Sequence, residues 1–406
     1  MISHGHPRYS KGGAEIAAME LAKALRATGE HEVMFVGRSP GGKLQHTGTI
    51  FSAVAPNELL VESNGEWFLQ NQASFGPAQI DEWVDFVQAF KPDVVHFHHY
   101  VHLGVELLRV TKTACPNAKI VLTLHEYIAL CANKGQMVKT GADHELCYKS
   151  DPKDCHRCFP ELSPEDFFLR ERYFKQMFNV VDVFVSPSHF LRERYIEWGL
   201  PADRIVYIEN GQAPADRIPP RTLAPDETRT RFAYFGQINP FKGVDLVLQA
   251  VDMLPKAIKK QVTLDIYGSG LENQPEDFQA KVKKLLKDNK RNIRWHGAYE
   301  PQDMPRLMTE VDWVVMGSIW WENSPLVIQE AFKYGRPVIC PDIGGMAEKV
   351  ENGVTGLHYR AKDSGSLSLL MESCVLDESL WEFNKKIEFN TINSCLCTNS
   401  HVAIYA

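Results

Sequence analysis

Glu322 and Glu330 stand eight positions apart within WWENSPLVIQEAFKYGRPVI, residues 320–339. Between them lie Asn323, Ser324 and Pro325, then an apolar run. Ser324 suits the cap of a helix, and Pro325 suits its first turn, where a missing N–H costs nothing. Leu326, Val327, Ile328, Ala331 and Phe332 predict a buried helix, Gly335 its end, and Pro337 a block to continuation. Glu322 then sits on the entry loop and Glu330 inside the helix. The N–H groups of residues 324–327 lack intrahelical acceptors and favour an anion. Carboxylates repel phosphate but accept hydrogen bonds from neutral hydroxyls. A phosphate at a helix tip with an acid on either side fits a sugar linked to a diphosphate. The spacing alone equally allows a solvated loop acid and an ordinary helix surface residue, so the rest of the chain has to decide.

Other residue groups also carry chemistry. Lys242, in FGQINPFKG, puts a cation in a tight turn, and alone would read as a solvated turn lysine. Gly12 and Gly13 open a helix, where glycine lets backbone approach an anion; read alone they mean only a tight turn. His125 ends the strand-like VLTLH and is followed by Glu126; a satisfied core histidine is its plain alternative. His96, His98 and His99 invite a metal reading, with residues 96 and 98 on one strand face, but structural histidines are the preferred one.

Strands alternate with helices in the elements that must position these groups. The helix SKGGAEIAAMELAKALRATG is followed by strands at HEVMFVG, PDVVHFHH, KIVLTLHE and VVDVFVSPS, with helices around 78–90 and at HFLRERYIEWG. Four prolines in ENGQAPADRIPPRTLAPDE mark a linker at 209–230. The alternation restarts with RFAYFG, VDLVLQAVDMLP, VTLDIYG, FQAKVKKLLKD, IRWHG, MPRLMTEV and WVVMGS. This pattern predicts α/β domains built on doubly wound parallel sheets, with ligands at the carboxyl ends of the strands. The boundaries read as residues 1–208, with a cysteine-rich insertion at about 131–160, then the linker, then 231–372, and a tail over 373–406. A length of 406 residues with 44% apolar and 23% charged residues suits two or three soluble domains. The net charge of −7 gives no reason to expect nucleic acid as a partner. No run reaches the ~18 apolar residues of a membrane span. His4, His6, Pro7 and Arg8 interrupt any secretory leader, which favours the cytoplasm.

Taken in order, these pieces resemble the retaining nucleotide-sugar glycosyltransferases of family 4, whose GT-B architecture has two Rossmann-like domains facing a cleft. The match is carried by GGAE at 12–15, YFGQINPFKGVDLVLQA at 234–250, LDIYGSG at 264–270, and ENSPLVIQEAFKYGRPVI with IGG at 343–345 and NGVTGL at 352–357. The resemblance implies transfer of a sugar from a nucleotide-diphosphate sugar to a glycan, lipid or small-molecule acceptor, as in surface polysaccharide synthesis; a non-catalytic nucleotide-sugar-binding protein and a nucleotide-sugar epimerase of the same architecture are the alternatives. It assigns Glu322 to the donor sugar and the reacting face, and Glu330 to the ribose hydroxyls. Asn323, Ser324, Pro325 and Leu326 fall to the diphosphate, which Lys242 neutralises as the leaving group. Gln237 stands where the family usually has arginine. Gly12 and Gly13 fall to diphosphate or acceptor, and His125 to positioning the sugar. Tyr299 falls near the nucleobase, a surface tyrosine being the alternative.

No cofactor is implied for catalysis. Cys131, Cys147, Cys155 and Cys158 lie in a long polar segment that ends in C-x2-C, a spacing that suits a structural zinc. Free thiols are the alternative; disulfides suit a reducing cytoplasm poorly. Members of the family attach to membranes by basic or amphipathic surfaces, so contact with the inner membrane face is a possible partner interaction. The basic KVKKLLKD reads instead as a solvated helix face. The first strand has only Met1, Ile2 and Ser3 before His4, so the chain reads as starting late. The tail lacks a clean helical period, although HVAIY resembles the closing helix that returns to the first domain.

Overall fold

Short apolar runs become the strands of two sheets in the computed structural model. It describes residues 1–406 except 11, 41–47, 64–68, 70–74, 142–143, 214, 226 and 388–393. The chain divides into two units, residues 1–213 with 392–406, and residues 214–391.

Unit 1 holds β1 (Ile2–Ser3), β2 (Phe35–Arg38), β3 (Phe51–Ala55), β4 (Glu58–Val61), β5 (Val94–Phe97), β6 (Lys119–Thr123), β7 (Val183–Ser186) and β8 (Ile205–Tyr207). They form an eight-stranded sheet in the order β3-β4-β2-β1-β5-β6-β7-β8. Strands such as β6, with four consecutive buried residues, are apolar on both faces because helices cover both sides. Among the described residues β3 and β4 make the one antiparallel strand pair of this sheet. The sequence reading passed over this hairpin. Asn57 turns it at φ +60°, a left-handed conformation that asparagine tolerates. The strand read at HEVMFVG begins only at Phe35, opposite Glu58 of β4.

The helix Gly13–Ala27 buries Ala17, Ala18, Leu21, Ala22 and Leu25, one stripe at helical spacing. The last helix, Ser394–Tyr405, joins that core through Cys397, with Val402, Ile404 and Tyr405 packed at its edge. Two polar contacts fix it further. The Tyr405 hydroxyl shares a 2.7 Å hydrogen bond with His96 Nδ1, and Lys119 Nζ donates to the Ile404 carbonyl at 3.1 Å.

Unit 2 holds β9 (Arg231–Phe235), β10 (Thr263–Tyr267), β11 (Ile293–Gly297), β12 (Trp313–Val315), β13 (Val338–Pro341) and β14 (Gly356–Tyr359). They form a parallel sheet in the order β11-β10-β9-β12-β13-β14. The helix Ser364–Leu376 crosses the boundary read at residue 372, because Leu367, Met371, Cys374 and Val375 bury in this unit's core. Much of the stretch read as a linker is sewn to unit 2 as well. The Arg221 guanidinium donates to both oxygens of the fully buried Asp312 at 2.8–3.1 Å, and Arg336 donates to the carbonyls of Ile218 and Pro219. Among the described residues no helix is long and apolar enough to cross a membrane.

Candidate functional site

The strand order of unit 2 reverses between β9 and β12, so the loops leaving their carboxyl ends lie side by side. Residues 236–243 form one loop and residues 316–325 the other. They meet backbone to backbone. A Cβ on Gly243, at φ +60°, would lie 1.9 Å from the Gly317 carbonyl oxygen, and one on Gly317 2.3 Å from that of Gly243. The Ile319 N–H donates to the Phe241 carbonyl at 2.9 Å, and the Tyr234 hydroxyl donates to the Gln237 carbonyl at 3.0 Å.

This contact brings Lys242 to Glu322. The Glu322 carboxylate is 5% exposed, and its Oε1 accepts three bonds: from Lys242 Nζ at 2.6 Å, Ser318 Oγ at 2.7 Å and Trp320 Nε1 at 3.0 Å. The ammonium also lies 5.4 Å over the Trp320 ring. Ser318 and Trp320 were missed by the sequence reading. Their adjacency to Glu322 was the available signal. Gln237 projects into solvent and so puts no buried charge at this point.

The helix after Glu322 starts later than its sequence suggests. It spans Leu326–Lys333, with Pro325 at the cap position (φ −66°, ψ 121°) and no side-chain cap. Ser324 is therefore not its N-cap. Its hydroxyl instead accepts from Gln329 Nε2 at 3.3 Å. The IGG motif holds the turn open, since the Gly345 N–H donates to the Glu322 carbonyl at 2.8 Å. A Cβ on Gly345 would stand 1.6 Å from the Asn323 carbonyl oxygen, so only glycine fits beneath it. Asn323 is buried, and Leu326 and Val327 head the helix without intrahelical acceptors for their N–H groups. Gly335 ends the helix at φ +70°.

Glu330 lies on this helix beside Tyr299. Burial pushes the Glu330 carboxyl up to about 7, with Lys333 opposing. Burial, then Glu330, raises the Tyr299 hydroxyl. Tyr299 meets Phe235 edge to face at 5.5 Å, while Tyr267 stacks between Phe235 at 4.9 Å and His296 at 4.5 Å. The structure thus gathers Lys242, Glu322 and the head of one helix, with Glu330 further along that helix and Tyr299, from the loop after β11, beside it.

Unit 1 has its own reversal, between β1 and β5, which places the loop after β1 beside the loop after β5. Gly12 caps the first helix, and Gly13 begins it. The Glu15 side chain folds back over Gly12, where a Cβ would lie 2.3 Å from its Oε2. Glu15 Oε1 accepts from Ser10 Oγ at 2.5 Å and lies 3.5 Å from His4 Nε2. The His4 ring lies 4.2 Å from that of His99. His99 Nδ1 accepts from the N–H groups of Tyr100 and Val101, so its proton sits on Nε2, 3.6 Å from Glu126 Oε1. His98 Nδ1 and His125 Nε2 share a 3.2 Å hydrogen bond, and the His96 and His98 rings stack at 4.2 Å. Burial drives these imidazoles toward the neutral form; His125 falls to about 3, with His4 adding to the effect. Burial holds the Glu126 carboxyl up to about 8, against the Ile128 N–H and Arg170. His4, Glu15 and Glu126 are members of this cluster that the motif reading did not assign.

Cys131, Cys147, Cys155 and Cys158 are in no disulfide and are partly exposed. Among the described residues no three His, Cys, Asp or Glu side chains are grouped so that they could hold a metal ion.

Comparison with known proteins adds sequence relationships. Residues 11–214 match the family described as Glycosyltransferase Family 4, and residues 218–393 match Glycosyl transferases group 1. A lipopolysaccharide 1,2-N-acetylglucosaminetransferase of Salmonella typhimurium is 29% identical over 184 residues, which covers 43% of this chain and 48% of the relative. The chain thus spans about half the length of that relative. A Mycobacterium tuberculosis glycogen synthase is 25% identical over 397 residues, covering 93% of this chain and 86% of the relative. The structure of Anabaena HepE in complex with UDP has the same fold, with a TM-score of 0.66 at 17% identity over 99% of this chain and 98% of that one.

Proposed function

The chain belongs to the glycosyltransferases of family 4 and group 1, and from that premise we propose that it moves a sugar, with retention of anomeric configuration, from a nucleotide-diphosphate sugar to a hydroxyl of a glycan or lipid-linked acceptor. Unit 2 takes the donor. The observation that carries this is the Glu322 carboxylate gripped by Lys242, Ser318 and Trp320 at the head of a helix, with Glu330 farther down the same helix. The donor brings two negative charges. Lys242 Nζ turns from Glu322 toward them, joined by the N–H groups that open the helix. Glu322 then accepts hydroxyls of the sugar, and Glu330 those of the ribose, beside Tyr299.

Departure of the diphosphate leaves an oxocarbenium-like sugar. The acceptor hydroxyl attacks on the face that the diphosphate leaves, and a departing phosphate oxygen takes the proton. The protein's work is position and fixed charge. The neutral imidazoles of His99 and His125, with the Glu126 carboxyl, supply unit 1 with hydrogen-bonding groups for hydroxyls. HepE's complex with UDP makes uridine donors the first to test, and the Salmonella relative's name supports a cell-surface glycan as product.

The test is a thermal-shift screen of UDP-, GDP- and ADP-sugars, followed by Glu322→Gln. The variant binds the selected nucleotide sugar and loses most turnover, measured as transfer of labelled sugar. Unchanged transfer in that variant, or no nucleotide sugar bound at millimolar concentration, removes the proposal.

A further inference from the structure

Lys242 and Glu322 come from different loops, 80 residues apart, and the lysine reaches across on a long, flexible stem. The other two donors to Glu322 belong to its own loop. Ser318 lies four residues before the carboxylate and is 2% exposed; Trp320 lies two residues before it and is partly buried. The backbone that carries them is fastened at several points. The Tyr359 hydroxyl donates to the Met316 carbonyl at 2.8 Å, the Ile319 N–H to the Phe241 carbonyl at 2.9 Å, and the Glu322 N–H to the Trp320 carbonyl at 3.0 Å. The neighbouring Trp321 is buried and stands against Gly344.

Trp320 touches both members of the ion pair. Its indole N–H donates to Glu322 Oε1 at 3.0 Å, and its ring lies 5.4 Å from the Lys242 ammonium. That distance is inside the roughly 6 Å range of a cation–π contact. An ammonium and an indole N–H can only donate, so Oε1 is held as an acceptor. Lys242, Ser318 and Trp320 all address this one oxygen. Among the described residues no donor takes Oε2, which is the oxygen left for a hydroxyl of the donor sugar.

A diphosphate draws Lys242 away, because two negative charges attract it more strongly than one carboxylate does. A glutamate without fixed donors is then free to turn about its side-chain torsions, and orientation is lost as the sugar arrives. Ser318 and Trp320 do not leave with the lysine, since they sit on the same fastened loop as the acid.

We infer that Trp320, together with Ser318, is a positioning residue for transfer. The two hold Oε1 of Glu322 once Lys242 has moved to the diphosphate, and so keep Oε2 aimed at the donor sugar. The Trp320 ring steadies Lys242 beside the acid until the donor comes. The inference rests on unit 2 taking the donor, as proposed above. Trp320→Phe removes the N–H and keeps a ring beside the ammonium. Ser318→Ala removes the hydroxyl. Either change leaves Oε1 with a single fixed donor after the lysine departs.

The experiment uses the full-length chain and the nucleotide sugar selected from the UDP-, GDP- and ADP-sugars by thermal shift. Turnover is read as release of the nucleoside diphosphate, with water as acceptor. Trp320→Phe and Ser318→Ala each lower kcat about tenfold and leave the donor KM within about twofold, because the diphosphate and ribose contacts are untouched. In a Glu322→Ala background Trp320→Phe changes kcat by less than about twofold, because its effect passes through that carboxylate. Far-UV circular dichroism reports folding; if Trp320→Phe does not fold, Ser318→Ala decides, alone and in the Glu322→Ala background. Wild-type kcat in either folded variant, a raised KM with kcat unchanged, or the same tenfold loss with and without Glu322 overturns the inference while the donor reading stands. A wild-type chain that binds no nucleotide sugar, or Glu322→Gln with full turnover, removes the donor reading and this inference with it.

Discussion

Nucleotide-sugar affinity is expected to rise about tenfold between pH 6 and pH 8, with Glu330 responsible. Burial holds the free Glu330 carboxyl at about 7 rather than its ordinary value of 4.5. Two ribose hydroxyls can both donate to an ionised carboxylate, whereas a protonated one must redirect its own hydrogen. Binding therefore favours the ionised form and pulls the titration back down. Below pH 7 the ligand must displace a proton, which weakens binding by a factor of 1 + 10^(7 − pH). That factor is about 11 at pH 6, about 2 at pH 7 and about 1.1 at pH 8. The difference across the range is about 1.4 kcal/mol.

Isothermal titration with the nucleotide sugar chosen by the thermal-shift screen checks this, because a diphosphate diester does not titrate in the range. Buffers of different ionisation enthalpy at pH 7 report about half a proton released per binding event. Glu330→Gln binds more weakly and with a flat pH profile. A wild-type Kd constant within about twofold from pH 6 to 8, or the same slope in Glu330→Gln, refutes the reasoning. The sign for folding is the reverse. The raised carboxyl is an advantage below about 4.5, and stability in the absence of ligand declines as pH climbs through about 7.

Further predictions concern the supports of the site. Gly345→Ala drives a methyl group into the Asn323 carbonyl, costs about 1–3 kcal/mol in urea unfolding and abolishes donor binding. Asp312→Ala removes the buried partner of Arg221, leaves it paired with Glu227 alone, and costs about 1–3 kcal/mol by the same assay. Glu126 keeps its proton to about pH 8 in the folded chain, so Glu126→Gln gains stability relative to wild type as pH rises from 5 to 8 and then levels off. Urea midpoints at pH 5, 7 and 8.5 test that ordering, and a gap that stays constant counts against a protonated Glu126.

Local patterns made much of the fold legible. Apolar runs of strand length, amphipathic helices, and glycine or proline at their ends mark themselves through short-range sterics and burial. Helices Pro77–Phe90, His189–Trp198 and Val244–Met253 fall where their periodicity puts them. Hairpin β3–β4 escaped because its turn rests on a left-handed Asn57 rather than an Asn-Gly pair. Ser324 looked like a cap because cap preference is local, but the Gly345 contact, arriving from another loop, moved the helix start to Leu326.

The chemistry of the donor end is written in the order of residues: two acids eight apart, a lysine in a tight turn, and glycines placed to let backbones touch. Which of them meet is set by the packing of the folded chain. The reversal of strand order brings Lys242 onto Glu322 across 80 residues, and recruits Ser318 and Trp320 to the same oxygen. It likewise decided that His4, His99 and Glu126, from three separate loops, stand together in unit 1. Such contacts depend on the order of strands in a sheet and on how far burial shifts a proton. Both are properties of the whole packed chain, and no window of neighbouring residues contains them.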